Sequence, residues 1–235
     1  MTGSSRGIGA AIARRLAREE HDVVVCFHAN GEAADAVVED VLRAGRRALA
    51  VRVDTTDEDS VIELFARAAD FGTVTGLVNN AGAAEWVGQL ADADIAKVRR
   101  DIELNLTGTL ICSKHAIRSM AATGGGAIVN ISSAAATLGS PGMYVQYAAA
   151  KAGVDALTVG LAKEVAPLGI RVNGVAPGTI WTDFHQDPDR PAKVALTAPM
   201  QRAGRPDEIA GAVAWLLSDD SEFATGTVIR VAGGL

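Results

Sequence analysis

Short apolar runs alternate with stretches of helical period along this chain, and that alternation constrains the fold more than any other feature. The clearest run lies over 22–27, where Val23-Val24-Val25-Cys26-Phe27 is apolar without interruption. A strand with one face in water alternates apolar with polar residues, whereas an unbroken apolar strand needs cover on both faces. Before it, residues 8–19 place Ile8, Ile12 and Leu16 at four-residue spacing on one helical side. Further strands are predicted over 47–53, 75–79, 126–131, 170–175 and 226–231. Helices are predicted over 32–44, 57–69, 92–121, 145–165 and 206–217. This succession predicts an α/β architecture, a doubly wound parallel sheet of Rossmann type, with ligands gathering at the carboxyl ends of the strands. No Pro/Ser-rich linker or charge run divides the 235 residues, so 1–235 reads as a single domain.

Composition narrows the function. With 49% hydrophobic and 21% charged residues the chain is not of the disordered class, and Gly, Lys or Arg interrupts each apolar stretch before membrane-spanning length. A net charge of -6 gives no broad attraction to a phosphate backbone, so neither nucleic acid nor a membrane is an expected partner. Cys26 and Cys112 stand alone, and His21, His28, His115 and His185 are scattered, so no metal site is expected. Two reduced thiols without a signal peptide point to the cytoplasm.

Two local patterns carry chemistry. Gly3, Gly7 and Gly9 form a G-x-x-x-G-x-G turn in Thr2-Gly3-Ser4-Ser5-Arg6-Gly7-Ile8-Gly9. Glycines allow a tight turn and close backbone approach, and the following helix offers its amide end to a pyrophosphate. By itself the pattern reads equally as an ordinary turn before a helix. Tyr147 and Lys151 stand four apart in Tyr-Ala-Ala-Ala-Lys, on one face of a helix, where an ammonium can stabilise a phenolate. In a fold of this kind the glycine turn follows the first, central strand, yet Thr2 follows Met1 directly. The expectation is that residues upstream supply a short apolar strand, and that without it apolar sheet surface is exposed.

Taken in order, these residues resemble the short-chain dehydrogenase/reductase family, and the resemblance spans Thr2 to Leu235. Thr2 to Gly9, with Ser5, Arg6 and Ile8, is similar to the family's coenzyme turn; Asp54, with Thr55, to its adenine contact; and Asn79-Asn80-Ala81-Gly82 to its N-N-A-G segment. Asn105, Ser133, Tyr147 and Lys151 resemble its catalytic tetrad, and Pro177-Gly178-Thr179-Ile180-Trp181-Thr182 its nicotinamide and diphosphate segment. Ser133, fourteen residues before Tyr147, fits the family spacing better than Ser132, while Tyr144 has no lysine four residues on. Asn105 reads equally as a buried helical polar residue, and Asp54 as a cap for the helix at 57.

The resemblance implies hydride transfer between a nicotinamide and a small-molecule carbonyl or alcohol. Ser133 and Tyr147 would hold the oxygen, Lys151 would lower the tyrosine pKa and grip the nicotinamide ribose, and Asn105 would hold a relay water. At the end of the second strand Phe27-His28-Ala29-Asn30 contains no acid to accept from a ribose 2′-hydroxyl. With Arg6, His28 and Asn30 as donors to a 2′-phosphate, NADP(H) is favoured over NAD(H). Trp86, Met143, Tyr144, Trp181 and Phe184 are expected around the substrate, under a lid over 183–203. The resemblance also implies a homotetramer built on helices 92–121 and 145–165 and on the carboxyl-terminal Val231-Ala232-Gly233-Gly234-Leu235. Two other readings stand beside it: a catalytically silent dinucleotide-binding regulator of the same fold, and a sugar-nucleotide epimerase or dehydratase, for which the chain is short.

Overall fold

The computed structural model describes residues 1–235. Helix α1 (Gly7–Arg18) leaves the amino-terminal turn and is followed by β1 (Val23–Phe27), α2 (Gly31–Arg43), β2 (Ala48–Arg52), α3 (Glu58–Phe71) and β3 (Gly76–Asn79). Next come α4 (Ile95–Ile102), a π-helical turn (Glu103–Thr107) and α5 (Gly108–Ala121), then β4 (Gly126–Ile131). The chain closes with α6 (Ala135–Leu138), α7 (Val145–Val165), β5 (Ile170–Pro177), α8 (Arg190–Ala195), α9 (Pro206–Leu217) and β6 (Val228–Val231). Each expected strand and helix is present. Among the α-helices only α6 and α8 were not expected, being four and six residues long and too short to show a helical face.

All strands run parallel, in two hydrogen-bonded blocks: β1 with β2, and β3-β4-β5-β6 in that order. Met1 and Thr2 stitch the blocks together. The Met1 ammonium donates to the Val24 carbonyl at 3.0 Å, the Cys26 N–H donates to the Met1 carbonyl at 3.1 Å, and the Thr2 N–H donates to the Val78 carbonyl at 3.0 Å. The expected exposure of apolar sheet surface does not occur. Val23, Val25, Leu77 and Val78, on either side of the break, are all buried. The reason is α1, whose Ile12 and Leu16 pack in one cluster with Val23, Val25, Val78 and Val129 and so cover both blocks. On the opposite face Cys112, Ala116 and Met120 of α5 pack with Cys26, Val51, Leu77 and Ile128. A buried aliphatic side chain of this kind contributes roughly 1.5–3 kcal/mol.

A polar ladder runs through this core below the carboxyl ends of the strands. The Asn79 amide donates to Ser113 Oγ at 3.0 Å and to Asn130 Oδ1 at 2.9 Å, the Asn130 amide to Thr158 Oγ1 at 3.0 Å, and Thr158 to the Val154 carbonyl at 2.8 Å. These buried bonds tie α7 to β4 and β4 to β3 and α5, with Asn79 Oδ1 left without a partner. No helix is long and apolar enough to cross a membrane.

Candidate active site

The glycine turn is held open by its backbone. Gly3 and Gly7 lie at φ +59° and +54°, in the left-handed region. Gly9 is required for a different reason: a Cβ there would stand 2.2 Å from the Gly3 carbonyl oxygen and 2.7 Å from Asn80 Nδ2. Asn80 locks the turn, its amide donating to the carbonyls of Thr2 (3.1 Å) and Gly3 (2.8 Å). The N–H groups of Asn80 and Ala81 both donate to Thr2 Oγ1, at 3.0 and 3.1 Å. Beyond the turn, α1 begins with Arg6 as an N-cap that makes no side-chain cap bond, and its first turn holds no acid. Its amide end and positive dipole are thus available to an anion, as a dinucleotide pyrophosphate requires.

A cavity of about 860 Å³ runs along the carboxyl edge of the sheet. Gly3, Ser5, Arg6, Gly7, Ile8 and Gly9 line it at the turn, His28, Asp54 and Thr55 beyond β1 and β2, and Asn80, Ala81 and Gly82 beyond β3. Ser133, Tyr147, Lys151, Pro177, Gly178, Ile180 and Thr182 line it on the side of β4 and β5. Of the four residues expected to be catalytic, Asn105 alone does not line it and lies fully buried behind Gly82. A Cβ on Gly82 would come within 2.6 Å of Asn105 Oδ1 and 3.5 Å of Lys151 Nζ, so glycine keeps that gap clear. The Asn105 amide donates to the carbonyls of Ala83 (2.6 Å) and Asp101 (2.8 Å), leaving a buried Oδ1 with no protein partner. Asn105 sits in the π-helical turn between α4 and α5, a local irregularity that is frequent at functional sites.

Tyr147 and Lys151 are buried on α7. Burial pushes the Tyr147 phenol well above its ordinary pKa, with the Ser133 hydroxyl pulling it down and Tyr144 adding slightly to the rise. The lowering expected from Lys151 is not seen: burial prevails, and at neutral pH the Tyr147 phenol is protonated. Burial draws Lys151 down to about 8, against the opposing charge of Asp155, and its Nζ donates to the Ile131 carbonyl at 2.8 Å. That Nζ lies 5.7 Å from the centre of the Tyr147 ring. The two serines differ in partner: Ser132 Oγ donates to the Lys151 carbonyl at 3.3 Å, whereas Ser133 Oγ accepts from the Ala135 N–H at 3.1 Å and keeps its own proton for another acceptor.

Asp54 is not a helix cap; Asp57 fills that place, accepting from the Asp59 N–H. The Asp54 carboxylate accepts from Thr56 Oγ1 (2.7 Å) and the Thr56 N–H (2.9 Å), which hold its pKa down, and lies 3.7 Å from His28 Nε2. Asn30 lines the cavity while its Oδ1 accepts from the Ala33 N–H to cap α2. Of the five residues expected around the substrate, Tyr144 and Phe184 line the cavity and Trp86, Met143 and Trp181 do not. Ile180 bridges to Gly204 and points inward, so Trp181, the next residue of an extended segment, points out and is 49% exposed. Trp86 packs on Gly88, and Met143 stands behind Arg190.

Asp101 and Gln146 gave no signal in the sequence, and Arg190 was expected only as one residue of the lid over 183–203. Buried Asp101 accepts from the N–H groups of Glu85 (2.7 Å) and Trp86 (3.3 Å) and from the Gln146 amide (2.9 Å), tying the loop after β3 to α7. In Arg99-Arg100-Asp101 it reads as one more surface charge, and only the tertiary fold buries it.

A family model described as Enoyl-(Acyl carrier protein) reductase matches residues 3–235. Among curated proteins, the chain is 42% identical to the uncharacterized oxidoreductase YgfF of Escherichia coli (strain K12), covering 100% of this chain and 98% of the relative. It is 47% identical to the cis-4-hydroxycyclohexanecarboxylate dehydrogenase of Sinomonas cyclohexanicum, covering 100% and 94%. Among solved structures, a short-chain type dehydrogenase/reductase from Mycobacterium marinum superposes with a TM-score of 0.95 at 32% identity, covering 100% of this chain and 93% of that one.

Proposed function

The chain belongs to the short-chain dehydrogenase/reductase family, whose members act on CH–OH and C=O groups with NAD(P), and from that premise we propose an NADP(H)-dependent alcohol dehydrogenase or ketone reductase. The observation that carries this reading is the buried proton donor Tyr147, beside Ser133 and Lys151, at a cavity that continues to the open amide end of α1. A bound nicotinamide supplies or accepts the hydride. Ser133 donates a hydrogen bond to the substrate oxygen and fixes its place. Tyr147 gives its proton to that oxygen as charge gathers there, and its raised pKa keeps the proton available until then. Lys151, charged below about pH 8, stabilises the phenolate left behind. Asn105, with an unpartnered Oδ1 facing the Gly82 gap, is suited to hold a water through which Lys151 recovers a proton. Run backwards, the same groups take a proton from an alcohol.

Preference for NADP(H) rests on charge. Arg6 is exposed at the turn and His28 faces the cavity, while the Arg52 side chain donates to the His28 carbonyl at 3.1 Å. These groups favour a ribose 2′-phosphate, and no acid occupies 27–30. Apolar Ile95, Ile102, Leu110 and Val159, exposed on α4, the π turn's entry, α5 and α7, support a homotetramer. The two buried free thiols suit a reducing cytoplasm.

The test is turnover of NADPH and NADH against a panel of ketones, diketones, oxoacyl thioesters and sugars, with Arg6→Ala alongside. Loss of one charged contact of about 1.5–3 kcal/mol should weaken NADP(H) by roughly 10- to 150-fold and NAD(H) far less. Equal loss for both cofactors contradicts the preference, and no turnover of any substrate contradicts the enzyme.

A further inference from the structure

Arg190 opens α8, in the segment that joins β5 to α9, and the chemistry above gives it no task. It lines the same cavity as Tyr147 and Phe184. It stacks on the Tyr144 ring with Cζ 5.3 Å from the centroid, Nη2 donates to Tyr144 Oη at 2.8 Å, and Nη1 lies against the Met143 thioether. Tyr144 in turn meets Tyr147 edge-on, with ring centroids 5.4 Å apart. A positive charge therefore stands one aromatic ring away from the phenol that moves the proton.

No carboxylate is in ion-pair contact with that charge. The phenol and thioether are uncharged, and Nε is buried without any acceptor. Asp187, whose field reaches Arg190, is held by Lys193 at 2.6 Å. His185 is kept neutral by burial first, and the Arg190 charge adds to that effect. Elsewhere in the cavity Arg100 is paired with Glu85 at 2.8 Å. A guanidinium whose direct side-chain contacts are a phenol and a thioether keeps hydrogen-bond donors for an anion entering the cavity. Its planar fork matches a carboxylate through two parallel bonds.

We propose that Arg190 binds a carboxylate of the substrate. Resting on the hydride-transfer reading, this names the substrate class: a secondary alcohol or ketone whose small apolar body lies against Tyr144 and Phe184 and carries a carboxylate on the side away from the reacting carbon. The probes are 4-oxocyclohexanecarboxylate and its methyl ester for turnover with NADPH, and cyclohexanecarboxylate and cyclohexanecarboxamide for calorimetric binding in the presence of NADP⁺. The wild type should bind the acid at least about tenfold more tightly than the amide and show a correspondingly lower KM for the keto acid than for its ester. Arg190→Met should abolish both preferences, and Arg190→Lys, which keeps the charge without the fork, should retain part of them. An acid bound no more tightly than the amide, or a preference that survives in Arg190→Met, overturns the proposal whatever the turnover. An Arg190-dependent preference in binding without turnover of any ketone upholds the carboxylate site and contradicts hydride transfer instead.

Discussion

In the proposed mechanism Lys151 answers two opposed demands: it is charged to support a phenolate, yet it is buried on the face of α7 that meets the sheet. Its folded pKa of about 8, below the ordinary 10.5, records that burial wins part of the contest. Because the unfolded chain holds the Lys151 proton more tightly, the penalty is complete below about pH 8 and is relieved as pH rises toward 10.5. Lys151→Met should therefore stabilise the ligand-free protein at pH 7 by up to about 3 kcal/mol, less near pH 10, while abolishing turnover. Urea melts of both proteins at the two pH values check this, and a variant less stable at pH 7 contradicts it. The Tyr147 and Lys151 pair was legible because four-residue spacing on a helix is a geometric statement in itself. Arg190 and Asp101 were not, since a charge in a polar stretch reads as solvated until the fold shows what surrounds it.

Among the elements, the loop between β3 and α4 depends on one buried carboxylate. Asp101→Ala leaves the N–H groups of Glu85 and Trp86 without their acceptor and the Gln146 amide with the Trp86 carbonyl alone, which should cost about 3 kcal/mol. It should also raise the KM for the carbonyl substrate more than that for the cofactor, because that loop passes the substrate side of the cavity. An unchanged melting temperature with unchanged KM would contradict the anchoring role. The order of strands and helices was readable from periodicity because each long element buries a face. The π turn around Asn105 left no trace in the pattern, and neither did the two short helices. Exposure at the break between β1 and β3 was expected from the sheet alone, and cover by α1 could be seen only once Ile12 and Leu16 were placed.

At the scale of the whole molecule, the exposed apolar residues on α4, α5 and α7 predict self-association. Light scattering at micromolar concentration should give a mass four times that of the chain, and a monomer would contradict the tetramer. Which residues after β5 meet the cavity was hidden from the sequence because they do so only in three dimensions: Phe184 and Arg190 reach it, and Trp181 turns away. The central claim, that Tyr147 moves the proton that accompanies hydride, is tested most directly by Tyr147→Phe. The comparison is between NADPH affinity and the rate of ketone-dependent NADPH oxidation in the variant and in the wild type. The substitution removes one hydroxyl from a buried ring, so NADPH should bind within a few-fold of the wild type while turnover falls by roughly 10²–10⁴-fold. Turnover close to the wild type would contradict it.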